Sequence, residues 1–298
     1  MVDKKIFKKK LRVIVFGGSG FLGSHVAEAL LHRGYNVIIA DLKKSRYIKP
    51  GIKFRKFNIQ NKNKIYEIIK KSDIVYNFAA IADIQDSYDN PIKTFETNIM
   101  GCAYILDACV KLKIKRYILA SSIYADSTQG GFYRVSKQSC ELMTTEYGNV
   151  HNLKYSILRY GSIYGPRSNL NNGLLKIVYD AVNKNRLIYR GTNKAVRSYI
   201  HVVDAAKASV DILKKSFSKK IILIKGKQSV KIKNLLLIVK EITGIKSNLN
   251  FLNKTQKGHY DKGPKPFKRL KTYNYYSKKT TNFKDSLKEL VKIIKSNK

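Results

Sequence analysis

Tyr133 and Lys137 stand four residues apart, a spacing that puts a phenol and an ammonium on one face of a helix. Such a pair can move protons. A phenol of ordinary pKa ~10 is a poor base at neutral pH, and a neighbouring positive charge favours its ionised form. With 20 Tyr and 47 Lys such pairs also arise by chance, and there are three: Tyr66/Lys70, Tyr133/Lys137 and Tyr275/Lys279. Position separates them. Tyr133 follows Gly130-Gly131 at a predicted helix start, and that helix follows an apolar run ending in Ser121-Ser122. Ligands of doubly wound folds sit beyond the carboxyl ends of the strands, where a strand-end serine and the next helix start converge. Ser122 is then placed to hydrogen-bond the oxygen whose proton Tyr133 carries. Tyr66 reads as a surface residue of an early helix, and Tyr275 as part of a lysine-rich loop.

A second constellation is Gly17-Gly18-Ser19-Gly20-Phe21-Leu22-Gly23, directly after an apolar strand and opening a helix. Glycines here allow a tight turn, and a missing Cβ lets a pyrophosphate approach the helix N-terminus. Gly17, Gly20, Phe21 and Leu22 are the expected cofactor contacts in this loop. Asp41 follows Gly23 by 18 residues, at the end of the next strand. A carboxylate there accepts both hydroxyls of an adenosine ribose and repels a 2′-phosphate, so NAD is expected over NADP. Lys43, Lys44 and Arg46 lie close by in sequence and soften that repulsion.

The elements that must position these groups alternate. Strands are predicted at Leu11–Phe16, Tyr35–Ala40, Lys53–Ile59, Asp73–Ala80, Arg116–Ser121 and Lys154–Tyr160. Helices are predicted at Phe21–Arg33, Lys62–Lys71, Pro91–Lys111 and Phe132–Tyr147. Alternation of this kind implies an α/β fold, a doubly wound parallel sheet covered on both faces. After Gly161 the pattern becomes irregular, with helices at Gly173–Asn185, Val203–Lys214, Ile232–Thr243 and Phe283–Lys295 and a strand at Ile221–Lys225. Lys254–Lys279 reads as mostly loop. Two portions are expected: a Rossmann-type dinucleotide-binding domain over 1–160, and a smaller C-terminal substrate-binding portion over 161–298, partly interleaved with the first.

The 298 residues include 44% hydrophobic ones, enough for a sizeable core, which excludes wholesale disorder. Three cysteines, Cys102, Cys109 and Cys140, form no paired spacing, which argues against a disulfide scaffold and a cysteine metal site; no metal is expected. No apolar run reaches the ~18 residues of a membrane span, so no membrane insertion and a cytoplasmic location are expected. The net charge is +39, from 59 Lys and Arg against 20 acids, but 47 of the cations are lysines spread along the whole chain. Groove readers and phosphate clamps favour arginine. The excess reads as compositional drift, with general attraction of anions second and nucleic-acid binding third.

Taken in order, Gly17–Gly23, Asp41, Asn77-Phe-Ala-Ala80, Asn98, Ser121-Ser122, Tyr133-x-x-x-Lys137, Leu158-Arg-Tyr-Gly-Ser-Ile-Tyr-Gly-Pro-Arg167 and Arg197-Ser-Tyr-Ile-His-Val-Val-Asp204 resemble the NAD-dependent epimerase/dehydratase family. These are extended short-chain dehydrogenases acting on nucleotide sugars. The resemblance covers roughly residues 11–215. It implies Tyr133 as general acid/base and Lys137 on the nicotinamide ribose. It implies Ser122 on the sugar oxygen, with Ser121 as the competing assignment. Ala79 and Ala80 would line the cofactor cleft, Asn58 and Ile59 would meet the adenine, and Tyr160 would approach the nicotinamide. Arg197 would reach the substrate diphosphate, and Ser162 stands where many epimerases have Asn.

Family dehydratases place an Asp-Glu pair directly after the catalytic Ser/Thr, and family decarboxylases a Glu; here Ile123-Tyr124 follow Ser122. The resemblance therefore implies a nucleotide-sugar 4-epimerase acting through a transient 4-keto sugar, with a homodimer expected. A keto-sugar reductase or dehydrogenase of the same family is the alternative. A non-catalytic RNA-binding relative is the rival from another class, disfavoured by the intact Tyr133/Lys137 pair and glycine loop.

Overall fold

A computed structural model describes residues 10–227, 229–253, 257–260, 271–277 and 280–296. The chain begins with strand β1 (Arg12–Phe16), helix α1 (Phe21–His32), β2 (Asn36–Asp41) and β3 (Lys53–Lys56). Then come α2 (Ile65–Ile69), β4 (Ile74–Asn77), α3 (Ile84–Asp89), α4 (Pro91–Phe95), α5 (Gly101–Lys111), β5 (Arg116–Ser122), α6 (Gly131–Val150) and β6 (Tyr155–Tyr160). The remainder comprises β7 (Ser162–Tyr164), α7 (Gly173–Lys184), β8 (Leu187–Tyr189), β9 (Val196–Arg197), β10 (Tyr199–His201), α8 (Val202–Asp211) and β11 (Lys220–Ile224). Last are β12 (Val230–Lys231), α9 (Ile232–Thr243), β13 (Leu249–Phe251), β14 (Thr272–Tyr275) and α10 (Phe283–Ser296).

Eight strands form one parallel sheet in the order β14-β11-β6-β5-β4-β1-β2-β3. Chain order reverses between β1 and β4, which opens a crevice at the carboxyl ends of those strands. Alternate residues of β1 serve the two faces. Val13 and Val15 pack with Val26 and Leu30 of α1 and Ala205 of α8, whereas Ile14 and Phe16 pack with Ile65, Ile105 and Cys140 from α2, α5 and α6. A third core joins α7, α9 and α10 through Leu174, Val178, Leu235, Leu236, Leu287 and Leu290.

Several predicted boundaries shift. The strand expected through Ile59 stops at Lys56, because Asn58 closes a turn on the backbone N–H of Gln60 (3.0 Å) and Ile59 drops into the core. The helix expected over 62–71 is a 3-10 turn followed by α2. The single helix expected over Pro91–Lys111 carries a π-helical turn at Glu96–Met100. That turn presents Asn98, which accepts from Ile81 N (2.8 Å) and donates to Ile81 O (2.9 Å) and Ser136 Oγ (2.9 Å), so it ties the exit of β4 to α6. Within 254–279, read as mostly loop, β14 extends the sheet beyond β11; residues 254–256, 261–270 and 278–279 lie outside the described residues.

Cations lie on or beside both outer strands. Lys53, Arg55 and Lys56 of β3 are exposed, and the ammoniums of Lys220 and Lys271 lie 4.5 and 5.6 Å from the ring centre of Tyr273 in β14. Among the described residues no helix is long and apolar enough to cross a membrane.

Candidate active site

The glycine loop sits at the reversal point. Gly17 has φ +72°, and a Cβ there would lie 2.5 Å from the backbone nitrogen of Ala79. A Cβ on Gly23 would run into the carbonyl oxygen of Gly17. Loop, helix start and the Ala79-Ala80 segment after β4 therefore pack at a distance that only glycine allows. Asp41, at the end of β2, accepts from Ser19 N (2.9 Å) and Leu42 N (2.7 Å), which ties the carboxylate to the loop. Ser19 Oγ is buried without a hydrogen-bond partner among the described residues, an orphaned polar group inside the loop. These features fit a dinucleotide: a glycine turn at a helix N-terminus, an acid at the end of β2 and an unsatisfied hydroxyl between them. Phe21 and Leu22 open α1 half-buried, Phe21 edge-on to His25 and Leu22 against the α1 core.

Helix α6 brings Tyr133 and Lys137 to the end of β5. Its start needs glycine: Gly130 has φ +105° and Gly131 φ +53°, and a Cβ on Gly131 would meet the ring of Tyr88 at 2.5 Å. Tyr133 and Lys137 are both buried, with the ammonium 5.8 Å from the phenol ring centre. Lys137 Nζ donates to Ala120 O at 2.9 Å. Ser122 ends β5, and its hydroxyl accepts from Tyr124 N at 3.3 Å, capping a short 3-10 turn at Ile123–Asp126. Ser121 lies on the other face of β5, and its hydroxyl donates to Glu141 Oε1 at 2.5 Å. Its hydroxyl is committed to this buried carboxylate, whereas that of Ser122 meets only a backbone N–H among the described residues.

Two expected cofactor residues turn their side chains into the core. Tyr160 does not turn its side chain into the cleft. Its hydroxyl shares a 2.7 Å hydrogen bond with Ser209 Oγ, its ring lies in the core between sheet and α8, and burial pushes its pKa up. Strand alternation is the cause, since Leu158 and Tyr160 share the face turned to α8. Ile59 is a core residue against Gly101, so of the Asn58-Ile59 pair only Asn58 keeps an exposed side chain.

Arg197 and Ser162 meet around Tyr260. The Arg197 guanidinium lies 4.3 Å from the Tyr260 ring centre and donates to Tyr189 OH (3.1 Å) and Val196 O (2.9 Å). The Tyr260 hydroxyl lies beside Ser162, and its ring lies 5.4 Å from that of Tyr124. Tyr124 OH is 3.2 Å from His259 Nδ1, and Gln129 Nε2 donates to His259 O at 3.3 Å. Burial, then the Arg197 charge, lowers the His259 pKa, so the imidazole is neutral at neutral pH. Tyr124 lies near both Tyr133 and Arg197, which makes it the link between α6 and this cluster. Tyr124, His259 and Tyr260 went unread in the sequence. Only the Gly-His-Tyr interruption of a lysine-rich stretch marks two of them. Tyr66 and Tyr275 lie apart from the site, their hydroxyls bound to Asp107 and Asp211 respectively. Lys279 lies outside the described residues.

Known proteins share this architecture and sequence. A Methanocaldococcus jannaschii protein with the provisional name UDP-glucose 4-epimerase is 26% identical, over 96% of this chain and 99% of its own length. A UDP-N-acetyl-alpha-D-glucosaminuronate decarboxylase of Bacillus cytotoxicus is 28% identical over 80% of this chain and 83% of its own. Among solved structures, the UDP-glucose 4-epimerase of Thermotoga maritima with UDP-glucose superposes with TM-score 0.84 at 23% identity, covering 96% of this chain and 99% of that one. The UDP-glucuronic acid 4-epimerase of Bacillus cereus with UDP-glucuronic acid and NAD gives TM-score 0.84 at 23% identity, covering 97% and 100%. The model of the NAD dependent epimerase/dehydratase family matches residues 13–224, and the chain belongs to that family.

Proposed function

We propose that the protein is an NAD-dependent nucleotide-sugar 4-epimerase. The observation that carries this reading is the buried Tyr133/Lys137 pair of α6 at the carboxyl end of β5, beside a turn whose first residues after Ser122 are Ile123 and Tyr124 rather than acids. The one nearby acid of that turn, Asp126, faces Arg159 at 3.4 Å. Elimination of water needs an acid and a base beside the sugar; inversion of a carbinol needs one proton carrier. NAD supplies a hydride acceptor that can return the hydride. The loop Gly17–Leu22, Asp41, Asn58 and the Ala79-Ala80 segment would hold it, with Lys137 on its ribose. Tyr133 would take the C4 hydroxyl proton and give it back, and Ser122 would hold that oxygen.

Residues 161–298 would supply the nucleotide-sugar contacts, through Ser162 and Arg197. Ile92, Met100, Phe132 and Leu142 expose apolar side chains on the packed layer α4–α6, which supports a homodimer through that layer. The three unpaired, buried cysteines suit the reducing cytoplasm. The test is to incubate the purified protein with UDP-, dTDP-, GDP- and CDP-sugars and analyse the recovered sugar. Inversion at C4 without net change in the nicotinamide is expected. Net oxidation or reduction of one sugar would replace this reading with the dehydrogenase one. RNA binding without any sugar turnover would replace both.

A further inference from the structure

Tyr133, Lys137 and Glu141 recur at four-residue intervals on α6 and share one helix face. On an ordinary surface helix Lys137 and Glu141 would pair with each other. Here Lys137 donates to Ala120 O, and Glu141 goes to the ends of β5 and β6. Ser121 of β5 is in register with Arg159 of β6, and both look onto Glu141. Glu141 Oε1 accepts from Ser121 Oγ (2.5 Å) and Arg159 Nε (2.9 Å), and Oε2 accepts from Arg159 Nη2 (2.6 Å). The third arm of Arg159, Nη1, reaches Asp126 (3.4 Å) and Thr272 of β14 (3.4 Å). Glu141 and Arg159 are each 2% exposed.

We propose that the Glu141–Arg159 pair is a positioning unit for the reaction. It fixes α6 along its own axis against the strand ends, and it withdraws Ser121 so that Ser122 alone serves the substrate. A buried ion pair is a poor source of stability, since its desolvation offsets its attraction and apolar replacements are often neutral or stabilising. Geometry is what the bidentate fork supplies: two parallel bonds fix direction as well as distance. Carboxylate and guanidinium together fasten α6, β5, β6, the turn at Ile123–Asp126 and β14 at one point. That point lies one turn along α6 from Lys137. The inference rests on Tyr133 and Lys137 as the proton-handling pair, whichever sugar is turned over.

The test replaces the polar unit by an apolar one: Ser121→Ala, Glu141→Leu and Arg159→Met together. Four readouts are taken: thermal midpoint, NAD affinity, hydrogen exchange along α6, and hydride transfer followed by the absorbance of reduced nicotinamide on adding an accepted nucleotide sugar. The expected result is a thermal midpoint near wild type, NAD affinity changed less than about threefold, and hydride transfer slowed about 10²-fold, the cost of a displacement near 1 Å. Hydrogen exchange at residues 131–137, which needs no substrate, should quicken. Wild-type transfer with unchanged exchange in a stable triple variant would overturn the proposal, because the pair would then be structural only. If the triple variant does not fold, Arg159→Lys keeps the charge and loses the fork. It should bind NAD normally and transfer hydride about tenfold more slowly, half of the full displacement cost in free energy; a wild-type rate overturns the proposal. A wild-type enzyme that transfers hydride without inverting C4 would instead refute the epimerase reading and leave this one standing.

Discussion

Lys137 Nζ donates to the carbonyl of Ala120 at 2.9 Å while lying 5.8 Å from the ring centre of Tyr133. The ammonium is thus anchored to β5 and still faces the phenol. Among the described residues its charge is held in place without an acidic partner, which would cancel its effect on the tyrosine.

Replacing Tyr133 by Phe keeps the buried ring and removes the proton carrier. Turnover should fall ~10²–10⁴-fold with NAD affinity retained, as read by product formation beside a binding titration. Lys137→Met should weaken both. Tyr66→Phe and Tyr275→Phe, whose hydroxyls bind Asp107 and Asp211, should leave turnover near wild type. A Tyr133→Phe enzyme of normal rate would remove Tyr133 from the chemistry.

Asp41 selects the cofactor in this reading. Asp41→Ala should weaken NAD and narrow its preference over NADP, because the 2′-phosphate no longer meets a carboxylate. It also releases Ser19 N and Leu42 N, so the loop should loosen. Titrations with both dinucleotides check this, and tighter NADP than NAD binding by the wild type would contradict it.

Arg197 is held over Tyr260 and bonded to Tyr189 before any substrate arrives. A preset guanidinium loses little freedom on meeting a diphosphate. Arg197→Ala should raise KM by a contact of about 1.5–3 kcal/mol. Arg197→Lys should recover little, since an ammonium neither forks nor stacks as well. Tyr260→Leu should raise KM with kcat less affected. Steady-state kinetics on the three variants separates these outcomes.

Acid should destabilise the fold through its histidines. Burial and then the Arg167 charge lower the His25 pKa from 6.5 to about 4, with Nε2 placed 3.1 Å from Pro166 O. Burial lowers His201 and His259 in the same sense. Between about pH 6.5 and 4 the unfolded chain therefore binds more protons than the folded one. Stability rises with pH through that window and is lost as pH falls through it, by up to about 1.4 kcal/mol per pH unit from His25, with His201 and His259 acting in the same direction. Denaturant midpoints across this range should show the slope, and His25→Gln should flatten it.

Strand alternation made the sheet readable. Apolar runs at Arg12–Phe16, Ile74–Asn77 and Tyr155–Tyr160 are buried along nearly their whole length, as parallel strands covered on both faces must be. The glycine loop was readable for a related reason, because only glycine tolerates the contacts made at Gly17 and Gly23. Side-chain direction at strand ends was harder. Ser121 and Ser122 look alike in sequence, and register with Arg159 decides which of them is drawn to Glu141. Tyr160 stood beside recognised motif residues, yet its parity sends it to Ser209. Glu141 carried no local signal, since its partner lies 18 residues away on another element. His259 and Tyr260 reach the site by tertiary packing alone.

A few of the cations have a physical use at the two outer strands of the sheet. An uncovered strand edge offers its amides and carbonyls to any other extended chain, and a second copy of this protein is the nearest candidate at high concentration. On β3, Lys53, Arg55 and Lys56 set like charges opposite one another in any such pairing, and Lys220 and Lys271 do the same beside β14. Edge-to-edge aggregation is thereby opposed at both ends of an eight-stranded sheet. Concentrated stocks should stay clear at low ionic strength and begin to self-associate as salt screens these cations over ~8 Å and less.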